Sequence, residues 1–134
     1  MTKCTTETVE FPGLKSRRIE AEFSGGDVSS DGGSLLLRQV DKKLKLVREL
    51  AAAIGDQRIS GKVFHDLASI LRQRVYGIAL GYEELNDHET LRKDVRFQAA
   101  LNRETVLAGS STLCRFENGM NRKTAVAIHR AGYD

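Results

Sequence analysis

A chain of 134 residues with 40% hydrophobic and 29% charged residues has the size and balance of one ordinary soluble domain with a modest core. The net charge of +3, from 21 basic and 18 acidic residues, is too small to establish nucleic-acid binding by itself. Met1 to Glu10 lacks the apolar centre of a signal peptide and no apolar run approaches the ~20 residues of a membrane span, so a cytoplasmic chain with no membrane partner is expected.

Residues 1–16, with the only proline, Pro12, read as a flexible leader, and residues 17–134 as one helical region. Arg17 to Phe23 alternates, with Ile19, Ala21 and Phe23 on one side and Arg18, Glu20 and Glu22 on the other, which predicts a short strand. A single strand cannot bury itself, so it needs Val28 to Ser30 or something outside the chain as a partner. Ser24-Gly25-Gly26 and Asp31-Gly32-Gly33 punctuate a double turn in which Ser30 or Asp31 caps the next helix. The run lacks both G-x-G-x-x-G and a following Gly-Lys-Ser/Thr, so capping outweighs phosphate binding.

From Ser34 the pattern is helical. Leu36, Val40, Leu44 and Val47 form its expected apolar face, continued by Leu50 and Ile54, as one long helix or as two with a break near Lys45-Leu46. Gly55-Asp56 stops it and residues 57–61 form a loop. Lys62 to Leu80 carries the strongest period and is the expected central core helix. Its stripe is Val63, Leu67, Ile70, Leu71, Val75 and Ile78, with His65, Ser69, Arg72, Gln73 and Tyr76 largely off it. Gly77 and Gly81 either admit a close neighbour or end the helix. Shorter elements follow: a turn at Glu83 to Asn86, a turn capped by Asp87, a helix capped by Asp94, a helix from Thr112 to Asn118 capped by Ser111, and a last one over Arg122 to Ala131. The expected fold class is mainly α, with a small amino-terminal β element.

The three histidines and two cysteines stand singly. His65, His88 and His129 show no zinc spacing, and no disulfide between Cys4 and Cys114 is expected. The basic excess is +2 in residues 31–61 and +2 in residues 100–134. It fits a weakly basic DNA-facing surface and a solvated helical surface nearly equally well.

Three stretches carry a family resemblance. They are residues 28–38 (VSSDGGSLLLR), residues 71–88 (LRQRVYGIALGYEELNDH) continuing to Leu91, Arg92 and Asp94, and residues 111–118 (STLCRFEN). In this order they resemble the amino-terminal region of bacterial insertion-sequence transposases of the DDE group 1 type, across roughly Phe23 to Asn118. A glycine commonly breaks the helix after the position of Leu44 in that family, whereas Lys45 stands here. The resemblance implies DNA transposition by two-metal phosphodiester chemistry, with three carboxylates on a ribonuclease H-like sheet holding divalent ions, magnesium being expected. The first of those carboxylates is expected beyond the third stretch. Asp27, Asp31, Asp87 and Asp94 sit at turns or helix starts and read as caps, so this chain is expected to be a non-catalytic fragment that is incomplete relative to the full transposase and holds no metal or cofactor of its own.

What such a piece is expected to do is contact the element's terminal repeats or help assemble the paired-end complex. Arg92, Lys93, Arg96 and Arg103 cluster about one short helix, and Thr112, Arg115 and Asn118 share helical spacing on the next. Together they suggest a helix-turn-helix in which Arg115 meets guanine and Asn118 adenine. The bland alternative turns Leu113 and Phe116 inward and leaves Arg115 and Glu117 in water. Arg72 and Arg74 point in different directions, so one can meet a phosphate while the other makes a local ion pair. Other readings are an inactive remnant, an interaction module that pairs with itself or with intact transposase, and a small helical DNA-binding regulator.

Overall fold

The computed structural model describes residues 8–22, 32–56, 58 and 60–133. Strands β1 (Thr8–Leu14) and β2 (Arg17–Glu22) form an antiparallel hairpin. The alternation of Arg17 to Glu22 therefore finds its partner in Thr8–Leu14, and not in Val28 to Ser30, which lies outside the described residues. Residues 8–14 are thus strand where a flexible leader is expected. Pro12 is tolerated because the ladder is irregular between Phe11 and Leu14 and, among the described residues, neither strand has a second partner. Arg18 pairs with Glu10 and Glu20, which face each other across the ladder, so a cation offsets their repulsion.

Among the described residues seven α-helices follow: α1 (Gly33–Leu44), α2 (Leu46–Ile54), α3 (Leu67–Ala79), α4 (His88–Leu91), α5 (Val95–Ala100), α6 (Ser110–Asn118) and α7 (Arg122–Ala131). The break between α1 and α2 falls at Lys45, which adopts the left-handed conformation, φ 57° and ψ 24°. Its N–H donates to the Asp41 carbonyl at 2.7 Å, while the Asp41 carboxylate accepts from the Val47 N–H at 2.9 Å. Asp41 thereby ends one helix and caps the next. Gly55 stops α2 at φ 70°.

Side-chain caps start three further helices. Asp66 accepts from Ser69 N–H at 2.7 Å, Asp94 from Phe97 N–H at 2.9 Å, and Asn121 from Lys123 N–H at 2.9 Å and Thr124 N–H at 3.1 Å. Asp94 is the cap the sequence predicts, whereas Asp87 makes no capping hydrogen bond. The proposed capping by Ser30 or Asp31 lies outside the described residues.

Helix α7 packs on α2, α2 on α3 and α1 on α5. The main core joins Val47, Leu50, Leu71, Tyr76, Leu91, Phe97, Ala100, Leu101 and Leu107, and a smaller cluster joins Ile70, Ala108 and Leu113. Two expected apolar faces are corrected. On α1, Leu36, Val40 and Leu44 are 60%, 51% and 65% exposed, while Ser34 and Arg38 are buried. On this inward face Arg38 donates to the Ala99 carbonyl at 3.3 Å and to Asn102 Oδ1 at 3.0 Å, which offsets part of the cost of its burial, while the Ser34 hydroxyl has no partner among the described residues. On α3, Gln73 and Tyr76 lie inside and Ile78 outside. Gln73 Nε2 donates to the Ala108 carbonyl at 2.8 Å, Gln73 Oε1 accepts from the Ala108 N–H at 3.1 Å, and the Tyr76 hydroxyl donates to Asp41 at 3.0 Å.

Candidate nucleic-acid interface

Helix α6 is held from three directions. Leu113 is fully buried and anchors it. Its start is capped from a distance: Glu89 Oε1 accepts from the Ser110 N–H at 2.7 Å and from the Ser110 hydroxyl at 2.9 Å, so the helix begins at Ser110 and not after Ser111. These hydrogen bonds, from the backbone first and the hydroxyl second, hold the Glu89 carboxyl below its usual range. Gly109 makes this approach possible, because a Cβ there would lie 2.7 Å from Arg92 Nη1 and 3.0 Å from Glu89 Oε1. At the far end Glu117 pairs with Arg74, which also donates to the Glu83 carbonyl at 2.7 Å. Glu117 therefore does not simply face water, and both arginines of the pair are engaged, Arg74 with Glu117 and Arg72 with Asp41.

The outer side of α6 borders a groove of about 650 Å³ lined by Arg58, Lys62, Val63, Phe64, His65, Thr112, Arg115 and Phe116. Its lining holds three full cations and no carboxylate. Asp56 neutralises Arg58 at 2.6 Å, but Arg115 and Lys62 have no ion-pair partner among the described residues. Phe64 is 81% exposed and meets the His65 ring edge-on, with centroids 4.8 Å apart. Burial, followed by Arg103 and Arg92, keeps His65 below its ordinary histidine value, with a smaller push from Arg58 and an opposing one from Asp66. An exposed aromatic beside unpaired cations can stack a base and neutralise phosphates.

Of the residues singled out in the sequence, Thr112 and Arg115 line this groove, and Arg92 and Arg103 lie close enough to bias its histidine. Arg92 also meets Glu89 at 3.4 Å. Lys93 and Arg96 are exposed on and before α5, outside the groove lining. Asn118 donates to Cys114 Sγ at 3.3 Å and does not line the groove. Arg72 pairs with Asp41 at 3.3 Å in a different cavity. Lys62, Phe64 and His65 were missed because their run, Lys-Val-Phe-His, reads as the start of a core helix, whereas α3 begins only at Leu67. The α5–α6 pair is not a compact helix-turn-helix: α5 packs on α1, α6 lies beside the short 3₁₀ turn Leu85–Asp87, and residues 101–109 separate them.

Among the described residues no group of three or more His, Cys, Asp or Glu side chains is placed to hold a metal ion, and no helix is long and apolar enough to cross a membrane. Asp94 is engaged as a cap, and Asp27 and Asp31 lie outside the described residues. The described carboxylates therefore do not fit a two-metal centre.

A family model described as Transposase DDE domain group 1 matches residues 11–133, and the chain belongs to this family of DDE transposases. Membership implies a role in DNA transposition, with DNA as a partner. No curated protein and no solved structure matches the chain.

Proposed function

We propose that the described residues form a non-catalytic, DNA-contacting part of a DDE transposase that engages the element's terminal repeats through the α6 groove. The observation that carries this reading is the joining of Arg115 and Lys62, both without a countercharge among the described residues, to the exposed Phe64 ring in one groove. Such a groove tracks a backbone with its cations and holds a base or sugar against its ring. Metal-dependent phosphodiester transfer is assigned to carboxylates other than those described, with magnesium as the ion expected there.

The test is fluorescence anisotropy of a terminal-repeat duplex and a scrambled duplex with the purified chain across a salt series. Preference for the repeat, weakening with salt, and a shallower log–log salt slope by about 0.9 in Arg115→Ala support the reading. Phe64→Ala is expected to weaken binding by about 1–3 kcal/mol if the ring stacks on a base. Equal, weak binding to both duplexes, unchanged in both variants, overturns it.

A second reading, pairing with intact transposase during complex assembly, is favoured by the exposed stripe Leu36, Val40 and Leu44 at four-residue spacing on α1. Helical residues four apart form one continuous apolar face of the kind partners cover. Sedimentation of the chain with full-length transposase, wild type against Leu36→Lys and Leu44→Lys, separates the two readings.

A further inference from the structure

A second cavity, of about 220 Å³, is lined by Arg38, Asp41, Lys42, Lys45, Arg48, Arg72, Tyr76, Ala100 and Asn102. It shares no lining residue with the α6 groove. Positions 38, 41, 42 and 45 follow one another on a single face of α1 and its end, and Arg72 and Tyr76 are four apart on α3. The residues around it include five cations and one carboxylate, a formal charge of +4, although their apolar stems make up most of the wall. That carboxylate is already committed: Asp41 accepts from Arg72 Nε at 3.3 Å, from the Tyr76 hydroxyl at 3.0 Å and from the Val47 N–H at 2.9 Å.

Arg38 is the second, independent sign. The residue is 4% exposed, and among the described residues its Nη atoms meet only the neutral oxygens of Ala99 and Asn102 and its Nε has no partner. A buried guanidinium held only by neutral oxygens is a costly arrangement unless an anion lies beside it. Lys45 is the third. It holds a left-handed backbone conformation that glycine adopts without strain, and the side chain this position carries is a cation on the cavity wall. Burial lowers the pKa of the Arg38 guanidinium, with Tyr76 opposing and Arg72 adding to the shift, as a cation lacking its counterion requires.

We infer that this cavity is a phosphate site, in which Arg38 at the wall and Lys42, Lys45, Arg48 and Arg72 around it bind the oxygens of one phosphoryl group. The volume lies below the roughly 300 Å³ at which pockets for drug-sized ligands begin, so it suits a single phosphate and not an extended molecule. Two sources share this chemistry, a phosphodiester of the DNA backbone and a free phosphate. Only the first rests on the DNA-contacting function proposed above.

The test uses the full chain. Thermal unfolding is followed in sodium phosphate and in sodium chloride at matched ionic strength, and duplex binding is followed by anisotropy across a salt series. The variants are Lys45→Gly, which keeps the left-handed turn, and Arg48→Gln, which changes an exposed side chain; neither substitution touches the core. The wild type is expected to gain several degrees in phosphate over chloride, and each variant to lose at least half of that gain. If duplex affinity also falls, with a salt slope reduced by about 0.9 for the lost contact, the occupant is a backbone phosphate. If only the phosphate shift is lost, the occupant is a free phosphate. If neither the phosphate shift nor duplex binding responds to either variant, the site is overturned. Arg115→Ala leaves the phosphate shift in place, so this inference and the groove reading fail separately.

Discussion

A Cβ on Gly77 would lie 2.8 Å from His88 Cε1 and 3.0 Å from His88 Nε2. The imidazole is fully buried and meets Gln73 Nε2 at 3.2 Å through Nδ1, so it fills the space beside Gly77 where a side chain would meet it. This contact ties the last residue of the most specific sequence stretch, residues 71–88, back to its first half.

Gly77→Ala is therefore expected to destabilise the fold, although alanine ordinarily improves a helix interior. Overpacking of this kind costs about 1–3 kcal/mol, or a fall in Tm of roughly 4 °C per kcal/mol for a chain of this size. Calorimetry showing an unchanged or raised Tm would mean that the ring can move aside.

Gln73→Leu keeps the volume and removes both hydrogen bonds to Ala108. The Ala108 N–H and carbonyl are then buried without partners, at about 1–3 kcal/mol each. A loss of about 2–5 kcal/mol in urea unfolding is expected. A loss under about 0.5 kcal/mol would show that solvent or a neighbour replaces the amide.

Asp41→Ala removes one acceptor from three donors, Arg72, Tyr76 and the Val47 N–H. Loss of such a network, together with the α2 cap, is expected to destabilise by about 2–4 kcal/mol. Burial, then Asp41, raises the Tyr76 phenol well above its ordinary value, which keeps the hydroxyl a donor. Asp41→Asn, which can still accept from Val47, is expected to lose less; equal losses would place the whole effect in the cations and phenol.

Stability should also fall on mild acidification. Burial is the largest cause that puts His88 below the ordinary histidine value of 6.5, with Arg74 adding to it. Below 6.5 the unfolded chain binds a proton that the folded ring refuses, so stability drops by up to ~1.4 kcal/mol per pH unit for each such group. Above 6.5 both states are neutral and the contribution is constant. His65 is shifted in the same direction and adds to the effect. The urea midpoint is expected to be flat above pH 7 and to fall between pH 6.5 and 5.5, with a shallower fall in His88→Gln. A wild-type midpoint constant down to pH 5.5 would contradict a buried neutral His88.

What was legible in the sequence was local. The alternation of Arg17 to Glu22, the cap at Asp94, the stops at Gly55 and Gly119 and the bounds of α7 all rest on neighbours a few residues apart. The faces of α1 and α3 were not legible, because hydrophobic spacing assumes that polar residues seek water. Arg38, Asp41, Gln73 and Tyr76 instead find partners as far as 64 positions away, and once paired they belong inside. The candidate site divided in the same way. Arg115 and Thr112 stand out by helical spacing, whereas Phe64 and Lys62 join them only through the packing of the loop before α3 on α6.

The two hydrogen bonds between Gln73 and Ala108 also bear on how the chain opens. Amide protons of the β1–β2 hairpin, paired only with each other among the described residues, can exchange with solvent by local fraying. The Ala108 amide proton sits in no helix or strand, yet a buried side chain from the middle of α3 holds it. It can reach deuterated water only when α3 itself separates from residues 107–109. A single loop amide should therefore exchange as slowly as the core helix, and its rate would clock the opening of the whole unit.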